Sequence, residues 1–280
     1  MNTKINPHFL KEITRHYRSQ GLYYAIKSLN YERCAELPYV LQCLEPRFGE
    51  RLNFLDIGPG GESPLPTYLL KKTNWNIYCI DKFSWVRKQL DFARRTIPAD
   101  VIESRFHIIE QDFLTEKFED NFFDIVTNIS VIEHFESDTD SLAMAKSARL
   151  LKPGGIYLLT TLMNEGNFRE FYIEKSVYGE AFDNNRKVYY QRHYDTRAVE
   201  ERLLKPSGLK EVRRTYFGDY GYRFFERVLQ LPAALKPLKI FFSWAVPHFA
   251  RTFLTYSHEP ISYPDMKINT SSGVILTLSK

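Results

Sequence analysis

Short apolar runs recur along the first 165 residues, and most are followed by a segment whose apolar positions have helical spacing. The runs have the length of β-strands, and several end on an acidic residue, a pattern typical of parallel strands covered on both faces. Five such strands are predicted, at 53–57, 75–81, 106–112, 122–129 and 156–162. Because strands and helices alternate, the pattern predicts a doubly wound α/β sheet with right-handed crossovers.

A glycine-rich turn follows the first predicted strand, in the stretch Asn53-Phe-Leu-Asp-Ile-Gly-Pro-Gly-Gly61. The glycines allow a sharp turn and a close approach of a ligand to the backbone. Ser63 and Pro64 then have the character of a helix N-cap and first helical position. Such a strand–loop–helix unit presents free amides to nucleotide-like ligands, although an ordinary tight connection and a dinucleotide site are alternatives. A dinucleotide fingerprint would have glycine where Ser63 stands.

Acidic residues also end the second and third predicted strands, at Asp81 and Asp112. Asp81 follows the glycine loop by about the 20 residues expected of an acid that holds a ribose hydroxyl pair. No lysine or arginine occurs from Leu52 to Thr67. Acids without neighbouring cations suit a ligand rich in hydroxyl, amine and positive charge better than a pyrophosphate.

The two ends of the chain lie outside this alternating region. Residues 1–48 predict a helical cap, with a kink near Pro38, that either covers the sheet edge or lids the ligand crevice. Residues 163–192 show no clear period and indicate a long loop or an insert beside the site. A helix at 195–204, a sixth strand at 209–217 and a last strand at 273–278 complete the predicted core, which spans 49–217 plus 272–280.

An insert is predicted at 218–271, and its stretch 220–256 mixes aromatic and aliphatic residues with cations. That composition suits a peripheral contact with anionic lipid. A lid packed over the site is the favoured alternative, because aromatic stripes are more often buried than membrane-facing. Either interpretation favours a bulky, partly apolar or lipid-linked acceptor.

Composition narrows the functional class. The net charge is +4, and the three cysteines, Cys34, Cys43 and Cys79, have no metal-ligand or disulfide spacing. No apolar run approaches the roughly 20 residues of a membrane span, and the start has no signal-peptide core, so a cytoplasmic location is expected. Nucleic acid is disfavoured as a partner, because the basic residues are concentrated in the apolar insert.

Five motifs in order resemble the class I S-adenosylmethionine-dependent methyltransferases of the small-molecule type. They are Leu55-Asp-Ile-Gly-Pro-Gly-Gly61, Ile80-Asp81, Gln111-Asp112, Phe123-Asp-Ile-Val126 with Val131-Ile-Glu-His134, and Leu151-Lys-Pro-Gly-Gly155. The resemblance covers about residues 50–165. It implies a Rossmann-like, seven-stranded sheet whose last strand is antiparallel, and S-adenosylmethionine as the cofactor.

The resemblance also implies which residues meet the cofactor. Asp56, Gly58 and Gly60, with Gly61 beside them, would shape the pocket for its methionine end. Asp81 would take the ribose hydroxyls, Asp112 with Phe113 would meet the adenine, and Ser130 would line the crevice. The family's third glycine falls at Glu62 in this chain. That glutamate either pairs with the methionine ammonium or points to solvent.

Catalytic residues are harder to identify, because methyl transfer mainly requires alignment and exclusion of water. A general base is needed only when the acceptor is a hydroxyl or a protonated amine. His134, just after the fourth strand, is the first candidate, with helix capping or packing as its alternative role. His193 is the second, although a packing role is favoured there, with Arg192 as a candidate contact for an anionic substrate. Glu133 either orients His134 or is an exposed carboxylate.

The sequence therefore predicts methyl transfer to a small-molecule, sugar or lipid-linked acceptor. An NAD(P)-dependent oxidoreductase is one alternative. A catalytically silent module that binds only cofactor or a partner is another. No metal site is predicted.

Overall fold

The computed structural model describes residues 3–174, 187–219, 243–260 and 272–280. Within these ranges nine strands form one sheet, in the spatial order β1-β10-β9-β11-β6-β5-β2-β3-β4. The strands are β1 (Thr3–Lys4), β2 (Asn53–Ile57), β3 (Asn76–Asp81), β4 (Phe106–Glu110), β5 (Phe123–Ile129), β6 (Leu151–Leu162), β9 (Lys210–Gly218), β10 (Thr255–Ser257) and β11 (Gly273–Ser279).

The directions of the strands match the predicted fold class. Strands β4, β3, β2, β5 and β6 are mutually parallel. The last strand, β11, runs antiparallel between β6 and β9. The doubly wound α/β fold is confirmed, but the sheet has nine strands rather than seven. Strands β10 and β1 extend the edge beyond β9, and with three and two residues they are too short to produce a recognisable sequence period.

Helices cover both faces of the sheet. They are α1 (Pro7–Arg18), α2 (Leu22–Ile26), α3 (Arg33–Leu44), α4 (Leu65–Lys72), α5 (Lys88–Arg94), α6 (Ala99–Arg105), α7 (Thr139–Leu150), α8 (Thr196–Ala198), α9 (Lys205–Ser207) and α10 (Val246–Phe253). A π-helical segment, Val199–Leu204, joins α8 to α9. One apolar cluster joins α1, α3, α4 and α10 to one face, and another joins α7 and the π-helical segment to the opposite face. Helix α4 begins at Leu65, with Pro64 rather than Ser63 in the N-cap position.

The predicted helical cap both packs on the sheet and reaches its carboxyl edge. Helices α1 and α3 bury Ile13, Val40 and Leu41 completely, and α3 contains Pro38 in its interior. The described part of the predicted insert joins this cap, because Tyr256 of β10 donates from its hydroxyl to the carbonyl oxygen of Ala35 at 2.6 Å. The proposed domain limits remain a prediction. Residues 220–242 and 261–271 of the insert lie outside the described ranges.

A second, two-stranded sheet occupies part of the segment predicted as a loop. Strands β7 (Arg169–Ile173) and β8 (Val188–His193) pair antiparallel. The loop interpretation of 163–192 was therefore wrong at both ends of that segment. Strand β8 does not show the alternation of apolar and polar residues that is typical of a strand, because its buried positions include the polar residues Gln191, Arg192 and His193. Across the described residues, no helix combines the length and apolar character needed to cross a bilayer.

Candidate active site

The glycine loop after β2 depends on backbone conformations that favour glycine. Gly58 and Gly60 have φ values of +68° and +63°. The Gly58 amide donates to the carbonyl of Ile80 at 2.7 Å, which ties the loop to the neighbouring strand. A side chain at Gly58 would come within 2.5 Å of Val131 Cγ1, and one at Gly61 within 2.7 Å of the Trp85 carbonyl oxygen. The loop is thus packed closely on two other segments.

Asp81, at the end of β3, is the polar centre of this loop. Its Oδ2 accepts from the Gly60 amide at 3.2 Å and from Trp85 Nε1 at 3.1 Å. Its Oδ1 accepts from the Phe83 amide at 3.0 Å. Burial raises the pKa of this carboxyl above its ordinary value. The acid that ends β3 therefore lies against the glycine loop, whereas its contact with a ribose stays a prediction.

A cavity of about 390 Å³ opens beside the loop, between the loop and the cap. The cap contributes Tyr17, Lys27 and Arg33 to its walls, and the loop contributes Gly60 and Glu62. Lys27 and Glu62 form an ion pair across it. The Glu62 carboxylate is therefore paired with a lysine of the cap and is not directed only to solvent. The cap supplies cations that the loop itself lacks.

Asp56, near the end of β2, faces the neighbouring strand. It is fully buried and accepts from Thr127 Oγ1 of β5 at 2.7 Å. Burial raises the pKa of its carboxyl to about 7. This placement makes Asp56 part of the junction between β2 and β5, beneath the loop.

The predicted adenine residues lie in the turn after β4. The Gln111 amide donates to the Asp81 carbonyl oxygen at 3.0 Å, which places this turn against the end of β3. The exposed Asp112 accepts from the Leu114 amide at 2.7 Å. Phe113 is buried, with the ammonium of Lys146 5.0 Å from its ring centre. The adenine contact of Asp112 and Phe113 stays a prediction.

A buried carboxylate of the cap, Glu36, meets the end of β5. Glu36 Oε1 accepts from Ser130 Oγ at 2.5 Å and from Thr160 Oγ1 at 2.7 Å. Its other oxygen pairs with Arg33, which also lines the cavity. The backbone of Ser130 has a φ of +49° and its amide donates to Thr160 at 3.0 Å. The cap thus holds the strand ends from above the crevice.

Glu133 is a second buried carboxylate in the same region. Its side chain accepts from Thr161 Oγ1 at 3.1 Å, and its backbone carbonyl accepts from Tyr189 of β8 at 2.7 Å. Burial raises the pKa of Glu133 to about 8, and the nearby charge of Glu36 acts in the same direction. Glu133 is thus fixed by the neighbouring strands β6 and β8.

His134, the first candidate base, is held by strand β8. Its Nδ1 lies 2.6 Å from the carbonyl oxygen of Tyr190, which can only accept, so Nδ1 carries the proton and donates. Burial lowers the pKa of His134 to about 4, and the positive charges of Arg33 and Lys82 act in the same direction. His134 is therefore a neutral imidazole near pH 7, in electrostatic reach of the cavity residue Arg33.

His193, the second candidate, is fully buried inside the β7–β8 ribbon, with its ring against Phe171 and its Nε2 3.0 Å from the Gln191 amide nitrogen. Its neighbour Arg192 is also fully buried. The Arg192 guanidinium donates to Asp140 Oδ2 at 3.0 Å, to Tyr189 at 2.7 Å and to two backbone carbonyls. The interpretation of Arg192 as a contact for an anionic substrate was wrong, because its donors are used within the protein.

Comparison with known proteins shows what this domain resembles. Residues 55–159 match the family model described as a methyltransferase domain. This match and the fold shared with solved methyltransferases support a class I S-adenosylmethionine-dependent methyltransferase domain at these residues. The match includes the glycine loop, Asp81, Asp112, Glu133 and His134.

More distant relatives cover more of the chain or share its fold. A Haemophilus influenzae protein described as uncharacterized is 27% identical over 127 residues, which are 42% of this chain and 51% of that protein. The match thus spans about half the length of that curated relative.

Among solved structures, a Burkholderia thailandensis 1,6-didemethyltoxoflavin-N1-methyltransferase is 15% identical, with coverage of 98% of this chain and 90% of that chain and a TM-score of 0.53. The 4+2-cyclase SpnF is 17% identical, with coverage of 88% and 82% and a TM-score of 0.50. Since a cyclase shares the fold, the fold alone does not define the reaction.

Sequence reasoning missed the cap residues of the methyltransferase site, chiefly Glu36, Arg33 and Lys27. One signal was present, because Glu36 stands in the otherwise apolar run Cys34-Ala-Glu-Leu-Pro-Tyr-Val-Leu41. A charged residue on a helix face that must be buried requires a partner. Its partners, Ser130 and Thr160, are 94 and 124 residues away, so the sequence pattern did not name them.

Proposed function

We propose that this protein transfers a methyl group from S-adenosylmethionine to a small-molecule, sugar or lipid-linked acceptor. The observation that carries the proposal is the joint placement of Asp81 and the glycine loop beside the cavity. The Asp81 carboxylate accepts from Gly60 and from Trp85, and Gly60 and Trp85 both line that cavity.

The residues present fit this cofactor. A carboxylate offers about four acceptor positions, and the chain's own donors use three of those of Asp81. A ribose hydroxyl would take the fourth, and a second hydroxyl would displace the Gly60 amide, whose contact is the longest of the three. The cavity carries the ion pair Lys27–Glu62, so both signs of charge are available to an amino-acid end.

The glycine loop, Asp81, the cap and His134 have separate roles in this proposal. The glycine loop, Asp81 and the cap would bind the cofactor, which when bound supplies a methyl group already activated on a sulfonium. The cap would exclude water and orient the acceptor, through Arg33 and the Glu36–Ser130 contact. His134 would accept a proton where the acceptor is a hydroxyl or an ammonium.

The small-molecule acceptor class rests on two considerations. The cavity is partly open, has the cap as one of its walls, and measures about 390 Å³, which is in the size range of small-ligand pockets. The similarly folded Burkholderia enzyme was crystallised with a small molecule, 1,6-didemethyltoxoflavin. A lipid-linked acceptor would extend out of such a cavity.

One observation favours the oxidoreductase alternative. The cavity walls include the cations Lys27, Arg33 and Lys88, and cations suit the pyrophosphate of a dinucleotide. The carboxylates of Glu62 and Glu36 that pair with Lys27 and Arg33 weigh against this alternative.

Calorimetric titration tests the proposal. Purified protein is titrated separately with S-adenosylmethionine, S-adenosylhomocysteine and NADH, in parallel with the variants Asp81→Asn and Asp91→Asn. Asp91 is an exposed aspartate on α5 and serves as a matched control for charge. We expect S-adenosylhomocysteine to bind wild type and Asp91→Asn alike, and Asp81→Asn at least about tenfold more weakly, because a charged hydrogen-bond partner is lost.

Two other outcomes of these experiments would contradict the proposal. Binding of NADH in preference to both adenosyl compounds would overturn the proposal in favour of an oxidoreductase. Tight binding of S-adenosylhomocysteine without turnover on any sugar, lipid or phenolic acceptor would favour the catalytically silent module.

A further inference from the structure

A basic groove runs between helices α1 and α10, away from the cavity at the glycine loop. It has a volume of about 510 Å³, and its walls include Lys11, Arg15, Arg18 and Arg251. On α1 these cations follow one another at intervals of four and three residues, so they lie along one helix face. The floor is apolar and includes Leu10 and Pro247.

Among the described residues, the cations of this groove have no acidic partners. In the part of the chain that the structure describes, no carboxylate lies within 4.0 Å of the charged groups of Lys11, Arg15, Arg18 or Arg251. Other described arginines do pair with carboxylates, as Arg47 does with Glu50 and Arg197 with Glu201. The Arg18 Nε is buried and has no hydrogen-bond partner among the described residues. Four neighbouring cations without a described carboxylate beside them produce a local field that attracts anions.

Exposed apolar side chains border the groove at its Arg18 end. Arg18 donates to the carbonyl oxygen of Trp244, and Ser243 Oγ donates to the carbonyl oxygen of Ile26 at 2.8 Å. These contacts join α2 to the residues that precede α10. The exposed fractions are 78% for Leu22, 59% for Tyr23, 46% for Ile26 and 61% for Trp244.

We propose that this surface docks the protein on a bilayer that contains anionic phospholipid. The docking surface comprises the groove cations Lys11, Arg15, Arg18 and Arg251 and the apolar side chains Leu22, Tyr23, Ile26 and Trp244. Cations attract anionic headgroups, and tryptophan, tyrosine and aliphatic side chains enter the boundary between headgroups and acyl chains. Exposed cations alone, or exposed apolar side chains alone, are common on protein surfaces. Here the Arg18–Trp244 contact places the two sets side by side, which is the arrangement that a lipid surface requires.

The apolar end of the docking surface, on α2, lies next to the candidate active site, whereas the basic groove lies farther from it. Helix α2, which carries Leu22, Tyr23 and Ile26, is followed immediately by Lys27, whose ammonium pairs with Glu62 in the cavity wall. Docking would therefore bring the cavity close to the lipid headgroups. The inference does not depend on methyl transfer, because vesicle binding is measured without cofactor or acceptor.

The test is cosedimentation of the full chain with vesicles of phosphatidylcholine alone and of phosphatidylcholine with 30% phosphatidylglycerol, at about 50 and 500 mM salt. We expect binding only to the anionic vesicles and weakening at the higher salt. The tryptophan fluorescence should shift to the blue on binding, because Trp244 is exposed, whereas Trp75 is fully buried and Trp85 is half-buried with its Nε1 bonded to Asp81. Trp244→Phe should still bind but lose the shift.

The double variant Arg15→Gln/Arg251→Gln removes two cations of the docking surface. We expect its partition onto anionic vesicles to fall about 25-fold, at about fivefold per cation. The matched control is Lys210→Gln/Arg213→Gln, which removes two exposed cations at the far end of β9 from the residues that pair with β10. It should change the partition less than about twofold.

Three results would overturn the proposal. The first is no binding of the folded wild type to anionic vesicles. The second is equal weakening in the two double variants, which would indicate net charge alone. The third is binding of inorganic phosphate or an acidic peptide to the groove, lost in Arg15→Gln/Arg251→Gln, without vesicle binding.

Discussion

Ser130 Oγ donates a hydrogen bond to Glu36 Oε1 at 2.5 Å, across the boundary between the N-terminal cap and the end of β5. Glu36 belongs to helix α3, and Ser130 is the residue at which the chain leaves β5 with a positive φ of +49°. The same carboxylate accepts from Thr160 at the neighbouring strand and pairs with Arg33 at the cavity. The cap is therefore a part of the site, attached to it by one buried acid.

Replacement of Glu36 by alanine tests this attachment. The variant would leave Arg33, Ser130 and Thr160 without their shared acceptor, and removal of one partner of a buried pair costs about 3–5 kcal/mol. We expect a loss of that size in the free energy of unfolding, measured by denaturant titration. Glu103→Ala, at an exposed site on α6, is the control and should change stability by less than about 0.5 kcal/mol. Equal stability of the two variants would contradict the role assigned to Glu36.

The glycine loop gives a second prediction. Gly58→Ala would force a side chain to within 2.5 Å of Val131 Cγ1 at a φ of +68°. We expect a loss of about 1–3 kcal/mol in stability and weaker binding of S-adenosylhomocysteine, because the loop must shift. Gly49→Ala is the matched control, since a Cβ there would meet nothing within 4 Å. Differential scanning calorimetry and ligand titration of both variants measure the two effects, and unchanged ligand affinity in Gly58→Ala would remove the loop from the binding site.

The parts of this fold that sequence predicted are those encoded locally. The limits of β2, the end of β3 at Asp81 and the alternation of strands with helices all follow from apolar runs, glycines and acids within about 30 residues of one another. The cap contacts and the β7–β8 ribbon depend on pairs distant in sequence, such as Glu36 with Ser130 and Arg192 with Asp140. The only trace of such a pair in the sequence is a polar residue within an otherwise apolar run. That trace does not indicate which distant residue is its partner.

Asp140 gives a prediction about stability alone. This fully buried carboxylate accepts from Arg192 at 3.0 Å, from Arg202 at 2.7 Å and from Tyr194 at 2.8 Å. Asp140→Asn would leave the buried Arg192 guanidinium with only the partly exposed Glu170, at 3.4 Å, as a counterion. We expect a loss of about 3–5 kcal/mol in the free energy of unfolding. Asp138→Asn, at an exposed neighbouring position, should be nearly neutral in the same denaturant titration. A neutral Asp140→Asn would show that the cluster adds no net stability.

The raised pKa of Glu133 predicts how stability depends on pH. Burial raises this pKa from 4.5 to about 8, so the folded state binds a proton that the unfolded state releases. The contribution of Glu133 to the free energy of unfolding is therefore fully present below about pH 4.5, and it is lost as the pH rises through 8. Between pH 5.5 and 8.5 the wild type should lose about 2–4 kcal/mol more stability than Glu133→Gln. Unfolding titrations at the two pH values measure this difference, and Glu136→Gln, at an exposed site, should keep the wild-type slope.

His134 gives the prediction closest to chemistry. Burial lowers its pKa to about 4 while Nδ1 donates to the Tyr190 carbonyl, so above that pH the imidazole is neutral, which is the form that a general base requires. With a hydroxyl acceptor, His134→Gln should lower kcat by about 10²–10⁴-fold and leave the affinity for S-adenosylhomocysteine within twofold. The acid limb of the wild-type kcat profile should fall near pH 4 rather than near 6.5. His193→Gln, the comparison at the buried second candidate, should reduce stability in proportion to any loss of rate. If His134→Gln instead loses stability with an unchanged kcat, the imidazole has a packing role, and the proton must leave through another group or through water.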